Sequence, residues 1–227
     1  MQKLSIIIPC YNAGKNIEIL LNRIIAITLD NIEKEIIVVD DCSKDDSRDV
    51  LRKNEEKINK LLFHEKNTGK GGAVRTGIEN ATGDYILIQD SDLEYNPKDY
   101  NKMLRPLLND ECDVVYGNRF DRKLYNKGYF VNRIANKFFT RFSNFFTHYN
   151  LTDIETGYKV FKSQIIKKIE IQENGFGIEP EITAKLSKLK AKIIEVPIEY
   201  NPRTKAEGKS IGIKDGIRTL YCILKYR

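Results

Sequence analysis

Two aspartates spaced i, i+2 close an apolar run at Ile86-Leu87-Ile88-Gln89-Asp90-Ser91-Asp92, and Glu94 follows two positions later. At the end of a strand the pleat stops dictating direction, so such carboxylates can turn toward one point. Crowded carboxylates repel unless a cation sits among them. A hard divalent ion already bound to a diphosphate needs only one or two carboxylate oxygens from protein. The carboxyl ends of strands in an open α/β sheet are also where ligands bind. Two more apolar runs end in polar residues, at Pro9-Cys10-Tyr11-Asn12 and at Asp40-Asp41-Cys42-Ser43. A nucleotide laid across these ends could stack its base near Tyr11 and hydrogen-bond through Asp40. The run Asn67-Thr68-Gly69-Lys70-Gly71-Gly72-Ala73 lacks the spacing of a phosphate-binding P-loop. It leaves two readings open: amides offered to an anion, or a tight helix entry with close packing.

The elements that must position these residues alternate along the first half. Strands are expected at Leu4–Pro9, Glu35–Asp40, Lys60–Glu65, Tyr85–Gln89 and Asp113–Gly117, with helices at about 16–29, 46–58, 71–81 and 97–108. Ser43, Asp45 and Asn96 stand near helix starts as capping candidates. This βαβα alternation specifies an α/β fold with a mostly parallel sheet flanked by helices. Continuous apolar strands such as Ile36-Ile37-Val38-Val39 fit a sheet covered on both faces. Beyond Gly117 the rhythm changes. A Phe-rich basic stretch precedes a mixed region, a late strand at Lys192–Tyr200, a basic loop from Asn201 to Gly212 and a short C-terminal helix. The expectation is one domain over 1–227, with residues 1–117 handling a nucleotide and residues 118–227 an acceptor.

Composition narrows the chemistry. A chain of 227 residues, 41% hydrophobic, can bury one sizeable core. No apolar run approaches the ~18 residues of a membrane-spanning helix, and the N-terminus enters a strand directly. The four cysteines form no C-x-x-C pair, so zinc or a disulfide framework is not expected and a cytoplasmic location is. With only two histidines, catalysis must run on carboxylates, Lys and Arg. The net charge of +6 suits an anionic ligand, membrane or nucleic acid without choosing among them.

If residues 128–148 are helical, Arg133, Lys137 and Arg141 recur at i+4 as a basic stripe. Val131, Ile134, Phe138, Phe142 and Phe145 lie largely on another side, widened by Phe139 and Phe146. Such a helix suits a membrane interface, or packs on the sheet with a solvated basic face.

These residues in this order resemble the family 2 glycosyltransferases, especially the dolichyl- and polyprenyl-phosphate hexose synthases with a GT-A type nucleotide-sugar-binding fold. Seven pieces carry the resemblance: residues 5–12, 38–43, 67–73 and 89–94, Gly117-Asn118-Arg119, Asp153 through Lys159, and Arg203 through Ser210. Together they span nearly the whole chain. The resemblance implies Mg²⁺ or Mn²⁺ held by Asp90, Asp92 and Glu94, with Asp92 the direct ligand. It implies a substrate-binding set of Pro9, Tyr11, Asn12, Asp40, Lys70, Asp90, Ser91, Arg119, Arg133, Arg203 and Lys209. Asp92, Asp153, Arg119 and Lys209 form the implied catalytic set. Ala13 stands where relatives often carry Glu, and Tyr158-Lys159 where many mannosyl enzymes carry Phe-Arg. The donor, a GDP- or UDP-hexose, stays open.

The expected reaction is inverting transfer of a hexose from a nucleotide diphosphate to polyprenyl phosphate, by an enzyme peripheral at the cytoplasmic membrane face. A lipid phosphate is already largely ionised near neutrality and needs cations, whereas a sugar hydroxyl needs a carboxylate base. Transfer to a saccharide hydroxyl of a surface glycan, with Asp153 or Glu179 as base, is the same-class alternative. A nucleotidyltransferase is the alternative from another class, although the first strand lacks its G-x-G-type loop. Nucleic-acid binding is not expected, because acidic strand ends repel phosphates.

Overall fold

A computed structural model describes residues 1–120, 130–203 and 212–227, and the side chains of residues 130–132 and 213 are left aside. The β-branched and apolar runs become the strands β1 (Gln2–Cys10), β2 (Ile32–Asp40), β3 (Lys60–Phe63), β4 (Tyr85–Ile88) and β5 (Val114–Asn118). Two later strands, β6 (Lys159–Lys162) and β7 (Ile193–Pro197), complete a seven-stranded sheet in the order β3-β2-β1-β4-β6-β5-β7. The register places Ile6 beside both Ile36 and Leu87, so β1 sits at the centre with apolar neighbours on each side.

All pairings are parallel except those of β6, which runs antiparallel to both β4 and β5. Residues 159–162 thus wedge between two strands of the first half. The second half of the chain thus completes the sheet rather than lying beside it. The sequence reading did not include β6. Its four residues, Lys-Val-Phe-Lys, are too short to show a period against the mixed region around them.

Helices α1 (Gly14–Ala26), α2 (Ser47–Lys53) and α4 (Tyr100–Leu108) cover one face of the sheet. There Ile17, Leu20, Leu21, Leu51, Met103 and Leu104 pack on Leu4, Ile6 and Ile8. On the other face lie α3 (Gly69–Asn80), α5 (Phe130–Thr147), the short α6 (Ser163–Ile166), α7 (Ile178–Lys188) and α8 (Ile213–Tyr226). Several boundaries differ from expectation. The helix expected to reach residue 58 stops at Lys53, where Asn54 caps it before a 3-10 turn at Glu55–Lys57. The C-terminal helix is 14 residues long rather than short. Asn96 caps as expected, accepting from the Lys98 amide, and Asp45 accepts from the Ser47 amide at 3.0 Å. The Ser43 hydroxyl instead accepts from the Asn12 amide, tying the ends of β1 and β2 together.

α5 carries the least expected packing. Its buried face is Asn136, Thr140, Ser143 and Thr147, each 6% exposed or less, while Ile134, Phe138 and Phe145 are 57%, 56% and 74% exposed. Phe139, Phe142 and Phe146 are half-buried at the edge of the core. The polar stripe turns inward because it has partners there. Asn136 donates to Asp153 at 2.9 Å, and the Thr140 hydroxyl accepts from the Ile154 amide.

Candidate active site

β2, β1 and β4 are adjacent and parallel, so their carboxyl ends open on one edge of the sheet. Beyond β4 the Gln89 side chain stays buried, accepting from the Tyr100 hydroxyl and donating to the Asp90 carbonyl. That fixes where Asp90 leaves the sheet. The Lys70 ammonium lies 2.8 Å from Asp90 Oδ1 and 2.9 Å from Glu179 Oε1. Gly157 faces this pair so closely that a Cβ there would stand 2.3 Å from Asp90 Oδ2. Leu93, at φ +64°, reverses the chain in a region few non-glycine residues adopt, and brings Glu94 back toward Asp92.

Arg203 then bridges the turn, with Nη2 2.7 Å from Asp92 Oδ2 and Nε 3.2 Å from Glu94 Oε1. The Tyr200 hydroxyl donates to Glu94 Oε2 at 2.6 Å. Burial, reinforced by the charges of Asp90 and Glu94, pushes the Asp92 carboxyl up to about 6 against the opposing pull of Arg203. Among the described residues no three carboxylate, His or Cys side chains converge as a ready metal cluster. Lys70 and Arg203 already stand on the oxygens a metal would take. The donor chemistry still fits a hard cation, since four carboxylates (Asp90, Asp92, Glu94 and Glu179) face those two cations.

At the neighbouring strand ends, Pro9 is buried in β1, and Tyr11 is 45% exposed at the rim. Asn12, at φ +51°, accepts from the Lys44 amide. Asp40 is fully buried, with its Oδ1 accepting from Arg48 Nε and the Ser43 amide. The glycine-rich run favours close packing over an open anion cradle. Thr68 and Gly69 donate their amides to the Asp41 carboxylate at 2.8 and 2.6 Å, and Gly71 donates to the Asn174 carbonyl at 2.7 Å. Asp41, which the sequence reading gave no role, is the anchor of this loop. Its signal was weak, because Asp40 beside it carries the same side chain.

A second polar cluster is built around Asp153. It is fully buried, and Arg119 forks onto it through Nε at 2.7 Å and Nη2 at 2.8 Å. With Asn136 as a further donor, both Asp153 oxygens are taken. The Arg119 guanidinium also lies over the Tyr200 ring at 5.2 Å. Lys159 does not reach toward an acceptor. It is 1% exposed and donates to the carbonyls of Ile154 and Thr156, and burial pulls its ammonium down to about 8. Among the described residues, Glu155 Oε1 and Glu179 Oε2 are buried without a hydrogen-bond partner. Burial and then the charge of Glu179 push the Glu155 carboxyl up to about 7. Ser91 is half-buried in the turn, and Arg133 is exposed on α5. Lys209 lies outside the described residues.

A family model described as glycosyl transferase family 2 matches residues 5–170, a span that holds the acidic turn, the glycine-rich run and Asp153. The chain belongs to glycosyl transferase family 2. The transferase is 30% identical over 239 residues to a dolichol-phosphate mannosyltransferase of Pyrococcus furiosus, covering 99% of this chain and 64% of that protein. It is 29% identical over 213 residues to the glycosyltransferase AglJ of Haloferax volcanii, covering 93% of this chain and 67% of that one. The transferase therefore spans somewhat less than two thirds of the Pyrococcus protein's length. Its fold matches glucosyl-3-phosphoglycerate synthase of Mycobacterium tuberculosis, in a structure with Mn²⁺ and UDP-glucose, at a TM-score of 0.75 and 17% identity. That match covers 99% of this chain and 79% of the other. The expected α/β fold of GT-A type, with its mostly parallel sheet, is what the transferase has.

Proposed function

We propose that the transferase is a metal-dependent, inverting hexosyltransferase that moves a sugar from a nucleotide diphosphate to a polyprenyl phosphate at a membrane surface. The observation that carries the acceptor class is the packing of α5. It buries Asn136, Thr140, Ser143 and Thr147 and leaves Ile134, Phe138 and Phe145 exposed beside Arg133, Lys137 and Arg141. An apolar and basic face is what an acyl chain with an anionic head requires. Asn136, on the opposite face of the same helix, donates to Asp153, which in turn holds Arg119. The relationship to a dolichol-phosphate mannosyltransferase supports the same reading.

Asp92 and Glu94 would hold a Mg²⁺ or Mn²⁺ ion, with Asp90 beside them partnered by Lys70. When bound, the ion neutralises charge on the departing diphosphate. The solved relative that holds Mn²⁺ and UDP-glucose on the same fold supports an ion of this kind. Tyr11 offers its exposed ring to the base, while Asp40, already held by Arg48, orders the strand end on the ribose side. Arg203 and Lys209 supply cations to the diphosphate and to the acceptor phosphate. Asp153 serves as the counter-ion that orients Arg119, since its oxygens are fully engaged and no proton-accepting position is left.

One observation favours a second reading. Glu179 Oε2 is without a partner among the described residues, which would suit a base for a saccharide hydroxyl. The discriminating experiment supplies labelled GDP-mannose or UDP-glucose with Mn²⁺ to two acceptors, a short polyprenyl phosphate and a soluble oligosaccharide. Label recovered in the organic phase with polyprenyl phosphate supports the proposal. Label transferred only to the oligosaccharide overturns it.

A further inference from the structure

Arg203 holds the acidic turn by two attachments of different kinds. Its backbone N–H donates to Glu94 Oε1 at 2.9 Å, and Nε reaches the same oxygen at 3.2 Å. The Asn201 amide donates to the Glu94 carbonyl at 3.0 Å, and the Tyr200 hydroxyl takes Glu94 Oε2. Glu94 is thereby a clasp for the chain from 200 to 203, wherever the guanidinium points. Arg203 reaches Asp92, among the described residues, through the guanidinium tip, with Nη2 at 2.7 Å. The other Asp92 oxygen accepts from the Glu94 amide at 3.2 Å, so both oxygens of this carboxylate are occupied.

A divalent ion on Asp92 Oδ2 would stand against Nη2 on the oxygen that this guanidinium already neutralises, and the guanidinium must give way. The displaced guanidinium is then a cation stranded beside another cation, and like charges at contact repel strongly where water is scarce. A bare ion therefore gains little by entering. An ion that arrives with a nucleoside diphosphate changes this balance, because the diphosphate gives the released guanidinium a new anionic partner. Arginine suits both positions, since its planar fork matches carboxylate and phosphate alike.

We propose that Arg203 is an exchange residue. It neutralises Asp92 until the divalent ion and the donor diphosphate arrive together, then turns on its Glu94 clasp from the carboxylate to the diphosphate. This makes metal and nucleotide binding mutually reinforcing, and the coupling is reciprocal by linkage. The inference rests on the metal-dependent reading above and adds the residue that sets metal affinity.

The test measures Mn²⁺ binding to the full chain by the loss of the free-ion electron paramagnetic resonance signal. It is run with and without UDP or GDP, with the binary Mn²⁺–nucleotide complex accounted for. Arg203→Gln should bind Mn²⁺ alone about two- to fivefold more tightly than the unmodified protein, the worth of a part-exposed ion pair. Its gain in Mn²⁺ affinity on adding nucleotide should shrink by at least the same factor. Arg203→Lys keeps the charge without the fork, so it should fall between the two, and it carries the test if the Gln variant does not fold. Equal or weaker binding of Mn²⁺ alone by both variants, with the nucleotide gain unchanged, overturns the inference while leaving metal dependence standing. Failure of every form to bind Mn²⁺, with nucleotide or without, overturns the metal reading and the inference together.

Discussion

Asn136 of α5 donates to Asp153 at 2.9 Å, onto the same carboxylate oxygen that receives Arg119 Nη2. The helix with the exposed aromatic face is therefore bonded to the Asp153–Arg119 pair. Its orientation inverts the usual rule, with hydroxyl and amide side chains inside and Ile134, Phe138 and Phe145 outside. This apolar surface, on a helix rimmed by cations, is the one on which the proposed membrane contact rests.

The transferase should accordingly float with liposomes containing anionic lipid at low salt and detach as salt rises, because screening weakens the electrostatic part. Phe145→Ser should reduce flotation without lowering the melting temperature, since that ring is 74% exposed. The pair Lys137→Gln and Arg141→Gln should do the same while donor binding persists. Flotation unchanged in both variants would remove α5 from the membrane account.

Gly71 gives a sharper structural prediction. A Cβ at this position would stand 2.0 Å from the Glu173 carbonyl oxygen, and that neighbour is backbone with nowhere to move. Gly71→Ala should destabilise the protein by about 2 kcal/mol or more, as overpacking does. Urea denaturation measures it. A variant as stable as the parent would show that the 173–174 segment does not press on this loop.

The carboxyl of Glu173 sets a pH dependence. Burial works against its charged form, but hydrogen bonds from Arg218, Tyr226 and Lys225 outweigh it and hold the group down to about 2 from an ordinary 4.5. A depressed carboxylate contributes stability that is fully present above about pH 4.5 and lost as pH falls toward 2. Glu173→Gln should cost about 1–3 kcal/mol at pH 7. Its melting temperature should converge on that of the parent as pH drops through this window. A difference independent of pH would assign the effect to packing.

The parts of the fold legible in the sequence are those with strong local periods. β1, β2 and β4 read directly from runs such as Ile6-Ile7-Ile8 and Ile36-Ile37-Val38-Val39, because strands buried on both faces are continuously apolar. The acidic turn was legible for the same reason, as polar residues that abruptly end such a run. β6 was not legible, since it is short and its place between β4 and β5 is decided by pairing across the sheet. α5 was read as a helix, yet its inward face was not foreseen. Hydrophobic pattern points the phenylalanines toward the core, and only the buried Asp153, 17 positions from Asn136, calls the polar stripe inward. The Arg203–Asp92 pair joins residues 111 apart and has no local signature at all. The strand ends show in the sequence which carboxylates lie together, but not which cations stand on them. The basic loop expected from Asn201 to Gly212 falls mostly outside the described residues, as does Lys209.

The central claim is that the turn at Asp92 drives hexose transfer from a nucleotide sugar to polyprenyl phosphate through a divalent ion. Its most direct test compares the unmodified protein with Asp92→Ala, assaying labelled glycolipid formed from donor and polyprenyl phosphate with Mn²⁺ and after chelation. The account predicts product from the unmodified protein with Mn²⁺ only. It predicts a loss of at least about a hundredfold in Asp92→Ala, which should melt as the parent does. Near-normal turnover by a folded Asp92→Ala protein, or transfer that persists after chelation, would contradict it.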